Sequence, residues 1–146
     1  MAHSVHIRPA NLQDAPRVKS LLDELENNVS DPLIFDSIFQ EYLVDSDVIV
    51  YVAAHASTGV IGFVTCKGQN LLHHHGKVFE IQELIVTAAE QGKGIGRALV
   101  EATLHDVRTR GAKSLEVTSN KRRNEAHAFY QSVGFKNSHE KFTIYF

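Results

Sequence analysis

The sequence predicts a mixed α/β fold: a twisted, mostly antiparallel sheet of six to seven strands flanked by about four helices. Three observations carry this. Short β-branched runs and segments of helical periodicity follow one another in the order β-α-α-β-β-β-α-β-α-β-β. A turn with glycine at every second position, Gly92, Gly94 and Gly96, joins a strand to an amphipathic helix. The 146 residues are 43% hydrophobic and 22% charged, which suits one globular domain spanning 1–146.

Val5 to Arg8 reads as a short strand. Asn11 is placed to cap a helix whose apolar positions are Leu12, Ala15, Val18, Leu21, Leu22 and Leu25, with Asn27 and Asn28 at its end. Asp31-Pro32 opens a second helix, because aspartate caps and proline is tolerated in a first turn. Its apolar side is Phe35, Ile38, Phe39, Tyr42 and Leu43. Val48–His55 and Val60–Lys67 are β-branched strands joined by Ser57-Thr58-Gly59, a hairpin pattern. Gly68 to Gly76 reads as a polar loop, and Lys77 to Val86 as a strand. The helix after the glycine turn runs to about Arg110, where Gly111 stops it. Leu115–Ser119 is a strand, Lys121–Asn124 a basic loop, and Glu125–Val133 a short helix ended by Gly134. Phe135–Ser138 and Phe142–Phe146 read as two closing strands.

Composition narrows the function classes. A net charge of −2 argues against a nucleic-acid partner. The single cysteine, Cys66, lies in an apolar run and reads as a small buried residue; no internal disulfide can form. The N-terminal MAHSVHIRPA has no apolar signal core, and the longest apolar run, Val48 to Ala54, is too short to span a bilayer. A cytoplasmic protein with no membrane partner is expected, and a homodimer.

Glu80 to Leu99 is the stretch with chemistry in it. The first N–H groups of a helix lack intrahelical partners and carry partial positive charge, and glycine lets a phosphate approach the backbone. Two common phosphate loops fail on spacing. A dinucleotide fingerprint needs glycine where Arg97 or Leu99 stands, and a Walker loop needs Ser or Thr after Gly92-Lys93. A ligand-free connection is the plain alternative. What fits is Gln91-x-x-Gly94-x-Gly96, which resembles the acyl-CoA pyrophosphate loop of the GNAT acetyltransferase superfamily. A second segment, Asn124 to Phe135, is similar to that superfamily's A-x-x-F-Y-x-x-x-G-F signature through Ala126, Phe129, Tyr130, Gly134 and Phe135. The region from about Leu71 to Phe146 also resembles bacterial aminoalkylphosphonate N-acetyltransferases and small GNAT proteins of unassigned substrate.

The resemblance implies a GNAT fold, acetyl-CoA as co-substrate, and direct acetyl transfer to the amine of a small molecule. It implies that Tyr130 is the general acid for the leaving thiolate, a role a phenol suits because its pKa of about 10 is near a thiol's. Packing alone would also account for an aromatic there. Glu80 and Glu83 are candidates for the amine proton, since a carboxylate in an apolar strand needs a reason. For Glu80 a solvent-facing position is an equal reading; Glu83 lies deeper in the run. The family implies backbone contacts from Leu84, Ile85 and Val86 at a strand bulge, and pyrophosphate contacts from Gln91, Gly92, Lys93, Gly94, Ile95, Gly96 and Arg97. An asparagine often stands seven residues before the tyrosine in the family. Here that position is Arg123, with Asn120 and Asn124 nearby as cofactor-binding candidates.

His73, His74 and His75 form the one cluster with metal character. Neighbours on an extended chain point to alternate sides, so at most two, with Glu80, can share a divalent ion. A polar loop over the site is the plainer reading, and no metal is assigned. The resemblance places His73 and His74 near the acceptor. Arg122 and Arg123, a solvated charge run by default, are placed to meet a phosphonate, a phosphate or the 3′-phosphate of coenzyme A. The alternatives to an enzyme for small amines are an idle acyl-CoA-binding regulatory domain and a protein N-acetyltransferase. The retained pair Glu83 and Tyr130 favours an enzyme.

Overall fold

A computed structural model of the chain describes residues 4–119 and 121–146. The sheet has five strands in sequential order: β1 (Val5–Pro9), β2 (Val48–His55), β3 (Gly59–Leu71), β4 (Gly76–Val86) and β5 (Ser114–Val117). The first four are antiparallel neighbours, and β5 lies parallel to β4. The helices are α1 (Ala15–Glu26), α2 (Pro32–Val44), α3 (Ile95–Thr109) and α4 (Asn124–Ser132).

Each sheet face carries its own core. On one face α3 brings Ile95, Leu99, Val100 and Val107 onto Ile49, Ala53, Val64, Cys66, Phe79 and Ile81. On the other, Ala15, Val18 and Leu21 of α1 and Phe39 of α2 meet Val50, Val52, Val60, Phe63 and Ile85. β2 and the first half of β3 are covered on both sides, which is why Val48–Ala54 and Val60–Cys66 read as nearly continuous apolar runs. Cys66 is fully buried, and burial pushes its thiol up to about 12, so it packs as a small apolar residue. Among the described residues no helix is long and apolar enough to cross a membrane.

The structure corrects the sequence reading twice. The polar stretch 68–76 is not a loop. β3 continues to Leu71 and pairs with β4 from its first residue, leaving only a short 3-10 turn at Leu72–His74. The pairing holds because the Phe79 ring lies over Gly68, where an added Cβ would come within 2.5 Å of it. An aromatic thus covers the cross-strand glycine, and the polar side chains of Gln69 and Asn70 are left to solvent. The two closing strands are not formed either. Among the described residues the sheet has five strands rather than six or seven, and 133–146 has no regular structure.

The entry into α1 is set by one carboxylate. Asp14 accepts from the Asn11 N–H at 2.8 Å while Asn11 accepts from the start of the turn, a reciprocal capping box. Asp14 also takes both arms of the Arg8 guanidinium, at 2.8 and 2.9 Å, tying β1 to α1. It is only 6% exposed. The Arg8 hydrogen bonds, against the cost of burial, hold its carboxyl below the usual range. Asp14→Ala is expected to destabilise the fold by about 2 kcal/mol in urea titration, the scale of a charge-assisted pair whose partner is partly exposed. Because the folded-state value is depressed, the Asp14 contribution is complete above about pH 4 and is lost as pH falls through the lowered folded value. The variant should therefore lose stability less steeply than wild type over that acid range.

Candidate active site

β4 delivers the chain to the glycine turn and carries both candidate carboxylates. Thr65 faces Glu83 across β3 and β4, but Cys66 faces Ile81, so Gln82 is an extra residue in β4. Residues three apart on a regular strand point to opposite faces. The bulge cancels that: Glu80 sits opposite Lys67 and Glu83 opposite Thr65, and Thr65 and Lys67 share one side of β3. Glu80 and Glu83 therefore share the face that carries α1 and α2. The pairing of β4 with β5 stops at Ile81 and Val117. Beyond it, Glu83 to Val86 pairs with β3 alone among the described residues, so the backbone at Leu84, Ile85 and Val86 has no ladder partner on the β5 side.

Both carboxylates are held by hydroxyls. The Thr65 hydroxyl donates to the Glu83 carboxylate and accepts from the Glu83 N–H at 3.0 Å, fixing side chain and backbone together. Thr65 is 2% exposed. The Thr118 hydroxyl, just past β5, donates to Glu80 at 2.8 Å. Tyr42 of α2 approaches from above. Burial first, then the Glu83 charge, push its phenol up to about 12. Nearby, Ser119 Oγ is buried with no hydrogen-bond partner among the described residues.

The glycine turn begins where β4 ends. Thr87 N–H donates to Ile61 C=O at 2.9 Å, and the Gln91 amide donates to Val86 C=O at 3.0 Å, which folds the loop back on the strand. Gly92 and Gly94 have φ of 79° and 82°, the left-handed region that favours glycine. A Cβ at either would meet nothing within 4 Å, so the space in front of the turn is open. Gly94 is the N-cap of α3, and the Ile95, Gly96 and Arg97 N–H groups follow in the helix's first turn. Among the described residues Lys93 and Arg97 make exposed ion pairs, with Glu90 at 3.4 Å and Glu101 at 3.7 Å. An anionic ligand such as the coenzyme A pyrophosphate suits this cradle. Gly96 serves differently: it lies beneath the Phe129 ring of α4, which a Cβ there would meet at an ordinary contact distance of 3.5 Å.

That contact places Tyr130. Its ring packs edge-on to Phe129 and Phe135, at 5.4 and 5.7 Å between centroids. Burial raises its pKa, offset in part by the Arg123 charge. Asn124 is the first residue of α4 and is exposed. Arg122 and Arg123 precede it, and Asn120 lies outside the described residues.

The histidines are not brought to this site. His73 and His74, rings 4.3 Å apart, lie in the turn that opens β4, whereas the glycine turn follows its other end. Gly76 to Glu83 is roughly 20 Å of strand. Among the described residues no three His, Cys, Asp or Glu side chains converge on a metal position. Conversely, Tyr42, Thr65 and Lys67 line the Glu83 face, and the sequence reading had assigned them only to a helix face and a strand. A lone threonine in the apolar run of β3 was the available signal, but only the register puts it against Glu83.

Comparison with known proteins agrees with this geometry. Residues 15–135 match the Acetyltransferase (GNAT) family. The chain is 35% identical over 137 residues to the aminoalkylphosphonate N-acetyltransferase of Salmonella typhimurium, covering 94% of this chain and 88% of that protein. It is 29% identical over 148 residues to glucosamine 6-phosphate N-acetyltransferase 1 of Oryza sativa subsp. japonica, covering 96% and 86%. A crystal structure of a Bacillus halodurans transcriptional regulator superposes with a TM-score of 0.90 at 25% identity, over 98% of this chain and all of that one.

Gly94→Val is expected to weaken coenzyme A binding at least ~10-fold, since a branched residue strains the left-handed N-cap and fills the open space before the turn. Calorimetry that returns wild-type affinity in a variant of unchanged helix content would rule the turn out as the anion cradle.

Proposed function

The chain belongs to the GNAT acetyltransferase family, and on that premise we propose that it transfers acetyl from acetyl-CoA to the primary amine of a small molecule carrying an anionic group. One observation carries the reading. The Gln82 bulge sets Glu80 and Glu83 on one face of β4, beside its unpaired edge and just ahead of the glycine turn. The anionic group is suggested by the two relatives, whose names specify an aminoalkylphosphonate and a glucosamine 6-phosphate.

Acetyl-CoA supplies an activated acetyl group as a thioester. The glycine turn and the first turn of α3 hold its pyrophosphate, with Lys93 and Arg97 adding charge. Glu83, its carboxylate fixed by Thr65, takes the proton that the acceptor amine must lose as nitrogen bonds to the acetyl carbon. Backbone N–H groups at Leu84 and Ile85 stabilise charge on the carbonyl oxygen. As the carbon–sulfur bond breaks, Tyr130 gives its phenolic proton to the departing thiolate. At neutral pH the phenol is protonated and can give that proton; burial raises its pKa and the Arg123 charge opposes the rise. The whole chain 1–146 acts as one catalytic domain in the cytoplasm, where acetyl-CoA is available.

The test is an acceptor panel with thiol detection: 2-aminoethylphosphonate, glucosamine 6-phosphate, propylamine and a polyamine. Turnover of a phosphonate or phosphate amine is expected. Glu83→Gln should lower kcat about 100-fold and Tyr130→Phe about 10- to 100-fold, with coenzyme A affinity kept in both. Since the folded-state phenol titrates above its ordinary value, ionisation of Tyr130 should not reduce kcat below about pH 10. Coenzyme A binding without turnover of any amine would instead mark an idle binding domain.

We further propose a homodimer joined through the C-terminal segment. Phe142, Ile144, Tyr145 and Phe146 are all more than 80% exposed, an unusual run of bare apolar surface. The outer edge of β5 is unpaired among the described residues. Each copy thus carries a free strand-forming segment and a free sheet edge, which two copies can satisfy reciprocally. Light scattering should give twice the chain mass, and a chain ending at Glu140 should be monomeric. A monomeric full-length chain would refute the assembly.

A further inference from the structure

The face shared by Glu80 and Glu83 also carries a cation. Lys67 sits opposite Glu80 in the β3–β4 register, two residues along β3 from Thr65. Ordinary cross-strand pairing would give it a carboxylate partner. It has none: among the described residues no ion pair forms at Lys67, and its ammonium rests instead over the Tyr42 ring, 4.5 Å from the centroid. Both carboxylates accept bonds from hydroxyls, Glu80 from Thr118 and Glu83 from Thr65. The other lysine of the hairpin, Lys77, is paired with Asp47. A ring face attracts an ammonium without using its N–H bonds, so three donors remain to be offered outward.

Resting on the acetyltransferase reading of this face, we propose that Lys67, seated on Tyr42, is the residue that binds the acceptor's anionic group and so selects short amines ending in a phosphonate or phosphate. Lys67 lies diagonally across the strands from Glu83, with Cβ atoms about 7 Å apart. An amine delivered to Glu83 and an anion two carbons away span that diagonal. Tyr42 keeps the lysine from collapsing onto Glu80. Its raised pKa keeps the phenol neutral, so it adds no competing charge. Of the other candidates, Arg122 and Arg123 precede α4, where the Arg123 charge acts on the Tyr130 phenol rather than on Glu83. Lys93 and Arg97 flank the glycine turn, Arg17 donates to Val60 C=O at 2.8 Å, and His73 and His74 lie at the far end of β4.

The experiment measures calorimetric binding of 2-aminoethylphosphonate to the coenzyme A-loaded protein, with turnover followed in parallel. Lys67→Met should weaken binding at least ~10-fold, the scale of one charge-assisted contact, and Lys67→Arg should keep most of the affinity. The ratio of kcat/KM for the phosphonate over propylamine should fall by a similar factor in Lys67→Met. Equal affinity in wild type and Lys67→Met, or no phosphonate binding by wild type, would overturn the assignment. Lys67-dependent binding without acetylation would leave it standing and refute the catalytic reading instead. Thermal melting of both variants checks that the Tyr42 contact is not simply holding α2 in place; a large shared loss of stability with an unchanged phosphonate-to-propylamine ratio also overturns the proposal.

Discussion

The Gln82 bulge is the constraint on which the rest of the site depends. A strand alternates its side chains, and β4 must at once bury Phe79, Ile81 and Ile85 in the two cores and present two carboxylates to one side. One extra residue reconciles these demands. The β4–β5 ladder ends just before it, at Ile81 and Val117. A bulge leaves the ladder locally unsatisfied, and the Thr65 hydroxyl takes up the slack by bonding both the backbone and the carboxylate of Glu83. The atom that repairs the bulge is thus the one that orients the candidate base.

The two cores then bring the remaining parts to this strand. α3 is held against the sheet by Leu99, Val100 and Val107, and that fixes its N-terminus beside the end of β4. α4 is positioned by Phe129, which lies over Gly96 and packs with Val133 and Phe135 against the α3-face core, and Tyr130 follows Phe129 in that helix. On the opposite face, α2 brings Tyr42 over β3 and β4. The site stands where elements from both faces meet one strand end, so it needs no large rigid pocket of its own. Two open clefts that the chain does form, one lined by Asp47, Lys77 and Arg110, the other by Tyr42, Tyr51 and Asp106, lie away from the glycine turn.

Most of the elements were legible from local chemistry. Asp31 and Asn11 announced their caps, Gly111 the end of α3, and β-branched runs the central strands, because each signal is set by a residue's own conformational preference or by its close neighbours. The polar run 68–76 misled for the complementary reason. Gly68, Gln69 and Asn70 have little strand preference of their own, and they pair because Phe79, Val78 and Lys77 of β4 lie across from them, the Phe79 ring covering Gly68. The expected closing strands Phe135–Ser138 and Phe142–Phe146 are not formed: apolar alternation marks a segment able to pair but does not bring it to an edge, and among the described residues the outer edge of β5 stays unpaired.

What the sequence by itself determined is the chemistry that is local to a segment: a glycine turn ahead of a helix, a tyrosine on a short helix, two carboxylates in one strand, and the order of the elements as far as α4. Which residues face one another was decided only by the tertiary structure. Register is a property of two strands, so neither Thr65 nor Lys67 carries any mark of its proximity to Glu83. The same holds for separation. His73 and His74 are only a few residues before Glu80 in sequence, yet an extended strand moves the chain about 3.3 Å with every residue, and it carries the histidines to the opposite end of the sheet from the glycine turn.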